Sequence, residues 1–170
     1  MNNEQFTNLV TRHSDDLYNY ACYMLRNSED AADVIQETFL RCWQQREQLQ
    51  PGLEKNWLWR VICHQCLDLL RRRQRMHKRF QRLEPDRLAQ LPGIEQEQES
   101  AYDLQHKQQQ LQTALADLPA RSRSIMLLRY FDDLDYEQIA GIMQLRPGAV
   151  RTIAHRARRK LQLKLSPETA

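Results

Sequence analysis

At 170 residues with 41% hydrophobic and 28% charged side chains, the chain has the composition of a globular protein of one domain or two small ones. No N-terminal apolar run resembles a signal peptide, and no stretch approaches the ~20 apolar residues of a membrane span. A secreted or membrane-spanning chain is therefore not expected. A cytoplasmic location is expected, with the 4 cysteines as reduced thiols. The net charge of +3 is too small to name a partner, but its distribution is informative: Lys and Arg gather in two blocks with acids between them.

Only 4 glycines and almost no strand-like alternation predict helices throughout. The first runs from near Glu4 to Leu25, with Phe6, Leu9, Val10, Leu17, Tyr20, Ala21 and Met24 on one apolar face. Asn27 and Ser28 interrupt it. Ser28 reads as the N-cap of a second helix, with Glu29 and Asp30 in its first turn. That helix is expected to bury Ala32, Ile35, Phe39, Cys42 and Trp43, leaving Asp33, Gln36, Glu37 and Arg41 off the apolar face.

Pro51-Gly52 marks a turn. A long third helix follows from about Glu54, with Leu58, Val61, Ile62, Gln65, Cys66, Leu69 and Leu70 in helical register. Arg60, His64, Asp68, Arg71 and Arg75 form a second stripe at spacings of three and four. From Arg71 to Arg82 the helix is strongly basic and has little to bury.

Residues 83–102 change character: Pro85, Pro92-Gly93 and the acidic, glutamine-rich run from Glu95 to Glu99 read as a flexible linker. Helix resumes near Asp103. Leu104, Leu111, Leu115 and Leu118 share a face, and Pro119 ends that helix or begins the next. Ile125, Leu128 and Phe131 then pack a helix that stops near Asp132-Asp133, and Asp135 with Gln138 three positions on is a capping-box start.

From Asp135 to Lys160 the chain reads as a short helix, a tight turn and a very basic helix, the arrangement that lays a helix in the DNA major groove. Ala140 is small where two helices must touch, and Val150 belongs on the inner face of the second. Gln144 stands where such turns often carry glycine, Arg146 replaces a small N-cap, and Pro147 suits the first helical position. Ala149, Val150, Ile153, Ala157 and Leu161 can face the core. Arg151, Thr152 and His155 are then candidates for base edges, and Arg156 and Arg159 for phosphates.

With these pieces in order, the chain resembles bacterial sigma factors of the extracytoplasmic-function group over nearly its whole length. Four segments carry the resemblance: Asp30 to Trp43, Trp57 to Ile62 leading to Asp68 to Arg73, Ala114 to Arg121, and the helix-turn-helix. It implies an all-α fold of two small helical domains, residues 1–82 and 103–170, joined by the linker, the second a winged-helix-like four-helix domain with the helix-turn-helix. It implies that Asp33, Gln36, Glu37 and Arg41 bind core RNA polymerase. Asn56, Trp57, Arg60, His64, Asp68, Arg71, Arg72 and Arg75 would meet double-stranded and melted promoter DNA at the −10 element, and Arg151, Thr152, His155, Arg156 and Arg159 the −35 element. Trp59 is either part of the −10 pocket or core, and Asp68 can orient the stripe by pairing with Arg72 or His64. His64 departs from the asparagine common in relatives, which changes donor geometry and adds a group that charges near neutral pH. An anti-sigma factor is a further implied partner.

Cys63-His-Gln-Cys66 invites a metal or redox reading, but zinc needs about four ligands and only His64, Cys42 or Cys22 could complete the set. Burial as core thiols is the simpler reading, and neither metal nor cofactor is expected. No glycine-rich phosphate loop, nucleophile elbow or paired-carboxylate arrangement appears, so no enzyme is expected. The competing reading is a helix-turn-helix regulator that does not replace polymerase specificity.

Overall fold

The structure, a computed structural model, describes residues 1–83 and 102–165, with side chains described over 1–79 and 108–165. The described residues form seven helices and no strand, hence no wing. The segment read as a linker lies, between Glu84 and Ala101, outside them, as does the side chain of Leu104. Leu83 still belongs to the third helix, and Tyr102 already begins the fourth.

Helix α1 (Asn3–Leu25) begins on a full capping box: Asn2 Oδ1 accepts from Gln5 N at 2.8 Å, and Gln5 Oε1 accepts from Asn2 N at 2.9 Å. Helix α2 (Ser28–Gln44) is capped by Asn27 rather than Ser28. Asn27 is the extended residue, and its side-chain oxygen accepts from Asp30 N at 2.9 Å, while Ser28 is already helical.

The buried stripe of α2 is rotated by about one residue from the expected one. Ala31, Val34, Thr38 and Cys42 are buried, Ile35, Phe39 and Trp43 are half-buried, and Ala32 is exposed. Thr38 hides this register in the sequence because its hydroxyl looks polar. In the fold it donates to Val34 O at 2.8 Å and lies 2.7 Å from Gln65 Oε1, so it is buried without an unmet bond.

Helix α3 (Glu54–Leu83) buries Leu58, Ile62 and Cys66 as expected, and also Trp59, Cys63 and Leu67. It packs against α1 and α2 and against α5 and α6 as well. Trp59, 1% exposed, meets Tyr20 edge to face at 5.4 Å and is therefore core in this state.

The remaining helices are α4 (Tyr102–Ala116), α5 (Ala120–Phe131), α6 (Tyr136–Met143) and α7 (Pro147–Leu165). Pro119 is the N-cap of α5, and Asp132 ends it. Asp135 and Gln138 form the expected capping box at the start of α6. The turn follows at Gln144, which takes left-handed φ 54 and ψ 46, and Ala140 O receives the N–H of Leu145 at 2.9 Å. Ala140 and Val150 are buried where α6 and α7 cross, and Ala154, missed by the sequence reading, completes the inner face with Ala157 and Leu161. Ala149 is exposed instead, one step off that stripe in the first turn of α7.

Among the described residues, Arg123 is the buried charged side chain. Its guanidinium donates to Leu115 O at 3.0 Å and Ala116 O at 2.7 Å, closing the C-terminal end of α4, and to Met24 O at 2.7 Å near the end of α1. Carbonyls at helix C-termini carry partial negative charge and lack internal partners, so one cation serves two helix ends.

Gln144 adopts a backbone conformation that costs a side-chain-bearing residue about 1 kcal/mol. Gln144→Gly is expected to raise unfolding free energy by about 0.5–1 kcal/mol in urea titrations. A loss of stability would show that the exposed Gln144 side chain contributes more than the strain it causes.

Candidate nucleic-acid and polymerase interfaces

Two cationic surfaces stand on different helices. The first is the solvent side of α3. Asn56, Arg60, Asp68, Arg71, Arg72 and Arg75 are exposed and Trp57 is half-buried against the core. Asp68 pairs with neither His64 nor Arg72 but with Arg71, Oδ1 to Nη1 at 2.9 Å, three residues on. His64 is occupied elsewhere: its Nε2 lies 3.2 Å from Ile142 O on α6, which makes Nε2 the protonated nitrogen and the donor. Arg73, which the stripe did not include, pairs with Asp30 and ties α3 to the start of α2.

The second surface is α7. Arg151, Thr152, His155, Arg156 and Arg159 are all exposed, and His155, Arg158, Arg159 and Gln162 line a shallow depression. Arg151 is engaged by Glu137 of α6, a pair more than half exposed on both sides and so readily exchanged for another anion. Thr152 Oγ1 donates to Gly148 O at 3.0 Å, leaving its lone pairs to accept. Lys160 and Lys164 turn away toward Asp117, where Lys160 Nζ meets the backbone oxygen at 3.1 Å and Lys164 the carboxylate. That neighbour holds the Asp117 carboxyl below its usual range.

The acidic stripe on α2 is largely open. Asp33 and Gln36 are exposed, and Glu37 accepts from Arg41 at 2.6 Å within the helix. The sequence reading missed what lies beside it. Asn3, Phe6, Thr7, Phe39, Leu40 and Trp43 line an open groove of about 500 Å³ between α1 and α2. Leu40 is 49% exposed, Phe6 and Trp43 lie 5.0 Å apart, and the Arg46 guanidinium caps the Trp43 ring at 4.0 Å. The signal was legible: Leu40 follows Gln36 by four and Glu37 by three, which puts an apolar side chain on the polar stripe.

Cys42, Cys63 and Cys66 are buried and Cys22 half-buried, all as free thiols. Burial pushes Cys63 up to about 12 and Cys42 to about 11, so both stay protonated and unreactive at neutral pH. Among the described residues, no three His, Cys, Asp or Glu side chains converge as a metal site. No described helix is long and apolar enough to cross a membrane.

Residues 9–76 match the family Sigma-70 region 2, and residues 108–161 match Sigma-70, region 4. The ECF RNA polymerase sigma factor SigE of Mycolicibacterium smegmatis is 34% identical over 165 residues, covering 95% of this chain and 63% of that protein. The chain thus spans somewhat under two thirds of that relative. RNA polymerase sigma factor SigV of Bacillus subtilis is 28% identical over 160 residues, 94% of this chain and 90% of that one. Among solved structures, the sigma factor RpoE of Bartonella quintana, in complex with the anti-sigma factor NepR, shares the fold at a TM-score of 0.76 and 22% identity, over 97% of this chain and 99% of that chain. CnrH, in complex with the cytosolic domain of CnrY, does so at 0.70 and 22%, over 99% and 92%.

His13 lies beside Lys55 and Asp132, and burial, with Lys55 next, lowers its pKa below 6.5. A histidine depressed in the folded state binds fewer protons than its unfolded counterpart. Its contribution is therefore complete above pH 6.5 and declines as pH falls below that value. Denaturant titrations from pH 7.5 to 5 should show stability falling more steeply in the wild type than in His13→Gln. Equal slopes would remove His13 as the source.

Proposed function

The chain belongs to the extracytoplasmic-function group of the sigma-70 family, and we propose that it binds core RNA polymerase, directs it to specific promoters and starts transcription there. The observation that carries this reading is the succession of a region 2 and a region 4 match whose most basic helices, α3 and α7, both turn arginines to solvent. One protein with two cationic helices can hold duplex DNA at two separated places.

The acidic stripe of α2 is the polymerase anchor. Asp33, Gln36 and Glu37 complement a basic partner helix, with Arg41 at their edge. The groove at Leu40, Phe39 and Trp43 takes an apolar side chain from the same partner. Such a layout puts an apolar anchor inside a polar rim, the pattern that concentrates binding energy.

On α3, Arg71, Arg72 and Arg75 hold phosphates, while Asn56, Trp57, Arg60, His64 and Asp68 meet the −10 element as it melts. On α7, Arg151, Thr152 and His155 approach −35 base edges, and Arg156 and Arg159 clamp the backbone. An anti-sigma factor holds the protein inactive, by analogy with the complexes in which the similar RpoE and CnrH were solved.

The reading is tested by reconstituted transcription. Core polymerase plus this protein, with no other sigma factor, should start at a cognate promoter, whereas a helix-turn-helix regulator would yield no transcript. Within that assay, His64→Asn should alter which base is preferred at one −10 position, with roughly 1–3 kcal/mol of discrimination at stake. Identical output from both proteins across all four bases there would dismiss His64 as a reader.

A further inference from the structure

We propose that Glu137 of α6 is a positioning residue that sets −35 specificity: it holds Arg151 ready for a base edge and penalises the capture of Arg151 by a phosphate. The inference rests on the assignment of α7 to −35 DNA made above, and adds a residue which that assignment did not include.

Two firmly seated helices build the pair. Glu137 lies in the first turn of α6, between Asp135 and Gln138, whose capping box fixes the backbone there. Arg151 follows Val150, which is fully buried, and the two helices pack through Ile139, Ala140, Val150 and Ala154. Arg151 Nη2 donates to Glu137 Oε1 across the turn. No acidic residue lies on α7 itself from Pro147 to Leu165, so this carboxylate has to come from the neighbouring helix. Among the described residues, the ion pairs of α7 are Arg151 with Glu137 and Lys164 with Asp117. Arg156 and Arg159, assigned to phosphates, face solvent without a carboxylate, whereas the arginine assigned to a base edge is held by one.

An ion pair this exposed adds little to stability. Its effect falls on what Arg151 can bind. A guanidinium carries five N–H donors in a planar fork and no acceptor. With one donor on Glu137, Nε and Nη1 remain for the O6 and N7 of a guanine, and the carboxylate need not leave. A phosphate is a different ligand. It asks for the same fork as a carboxylate and so competes with Glu137 directly. The first helix of a helix-turn-helix crosses the DNA backbone, so a displaced Glu137 is left as an unpaired anion beside phosphates. One carboxylate thus favours the base-edge mode over the sequence-independent mode. Specificity then comes from a penalty on the wrong contact as much as from the right one. An arginine already restrained also loses less side-chain freedom when it meets its base.

The test uses the full-length chain, whose α7 surface is exposed, and duplexes randomised over about ten base pairs, one helical turn. Bound duplexes are sequenced for wild type, Glu137→Gln, Arg151→Ala and the double variant. Affinity for unselected duplex is measured against salt in parallel. Arg151→Ala should erase the preference at one base pair. Glu137→Gln, which keeps the shape and removes the charge, should lower the preference at that same base pair about tenfold and leave the other positions unchanged. Its affinity for unselected duplex should rise about threefold, with a salt dependence steeper by about one phosphate contact. On the Arg151→Ala background, Glu137→Gln should have no further effect on base preference.

A merely structural role for Glu137 would weaken the preference at every position together. That result, or a Glu137→Gln protein with the wild-type preference at the Arg151 base pair, would overturn the inference. An Arg151→Ala protein with the wild-type pattern would also overturn it, while leaving −35 recognition to other residues of α7. A wild type with no preference at any position would refute the −35 assignment itself, and the role of Glu137 with it.

Discussion

Helix α3 is buried on two sides, and this constraint organises the molecule. One side completes a three-helix unit with α1 and α2, and the other receives α5 and α6. A helix so enclosed cannot be amphipathic in the usual sense. Cys63, close to Ser124 of α5, and His64, bonded to Ile142 O of α6, occupy the second side where a solvent face would otherwise be. The enclosure ends near Leu70, and beyond it every residue from Arg71 to Arg79 is exposed. The same helix thus serves as keystone at its start and as a cationic projection at its end.

Much of this could be read from the residues, for identifiable reasons. Helix limits were legible wherever a cap or a breaker has one local cause, as at Asp135 with Gln138 or at Pro147. The helix-turn-helix was legible because Ala140, Gln144 and Val150 each answer a separate local demand. The register of α2 was not, because Thr38 is buried through a bond to Gln65, 27 positions away. The second face of α3 was hidden for the same reason. Its partners, Ser124 and Ile142, are distant in sequence, and no periodicity within one helix announces them.

The candidate surfaces divide along the same line. Exposure of the α7 arginines and of Asp33 and Gln36 follows from helical phase alone. What they touch does not. Arg151 with Glu137, Arg73 with Asp30 and His64 with Ile142 are tertiary facts, and each changes what the side chain has to give up before it can meet a nucleic acid. The apolar groove beside the acidic stripe needs two helices at once, since Phe6 comes from α1 and Leu40 from α2.

The projecting end of α3 carries a consequence of its own. An isolated peptide of a dozen basic residues would be mostly coil, because helix initiation is improbable and like charges repel. Here initiation has already occurred in the rooted half, so each further turn only propagates. At 30 residues and 1.5 Å per residue the whole helix is about 45 Å long, and the exposed arginines are lined up along its far part before any polyanion arrives. A polyanion meeting this spoke finds a ruler of fixed pitch rather than a chain to be ordered. Neutralising the mutual repulsion of the arginines would stiffen that spoke further, so contact and rigidity reinforce one another.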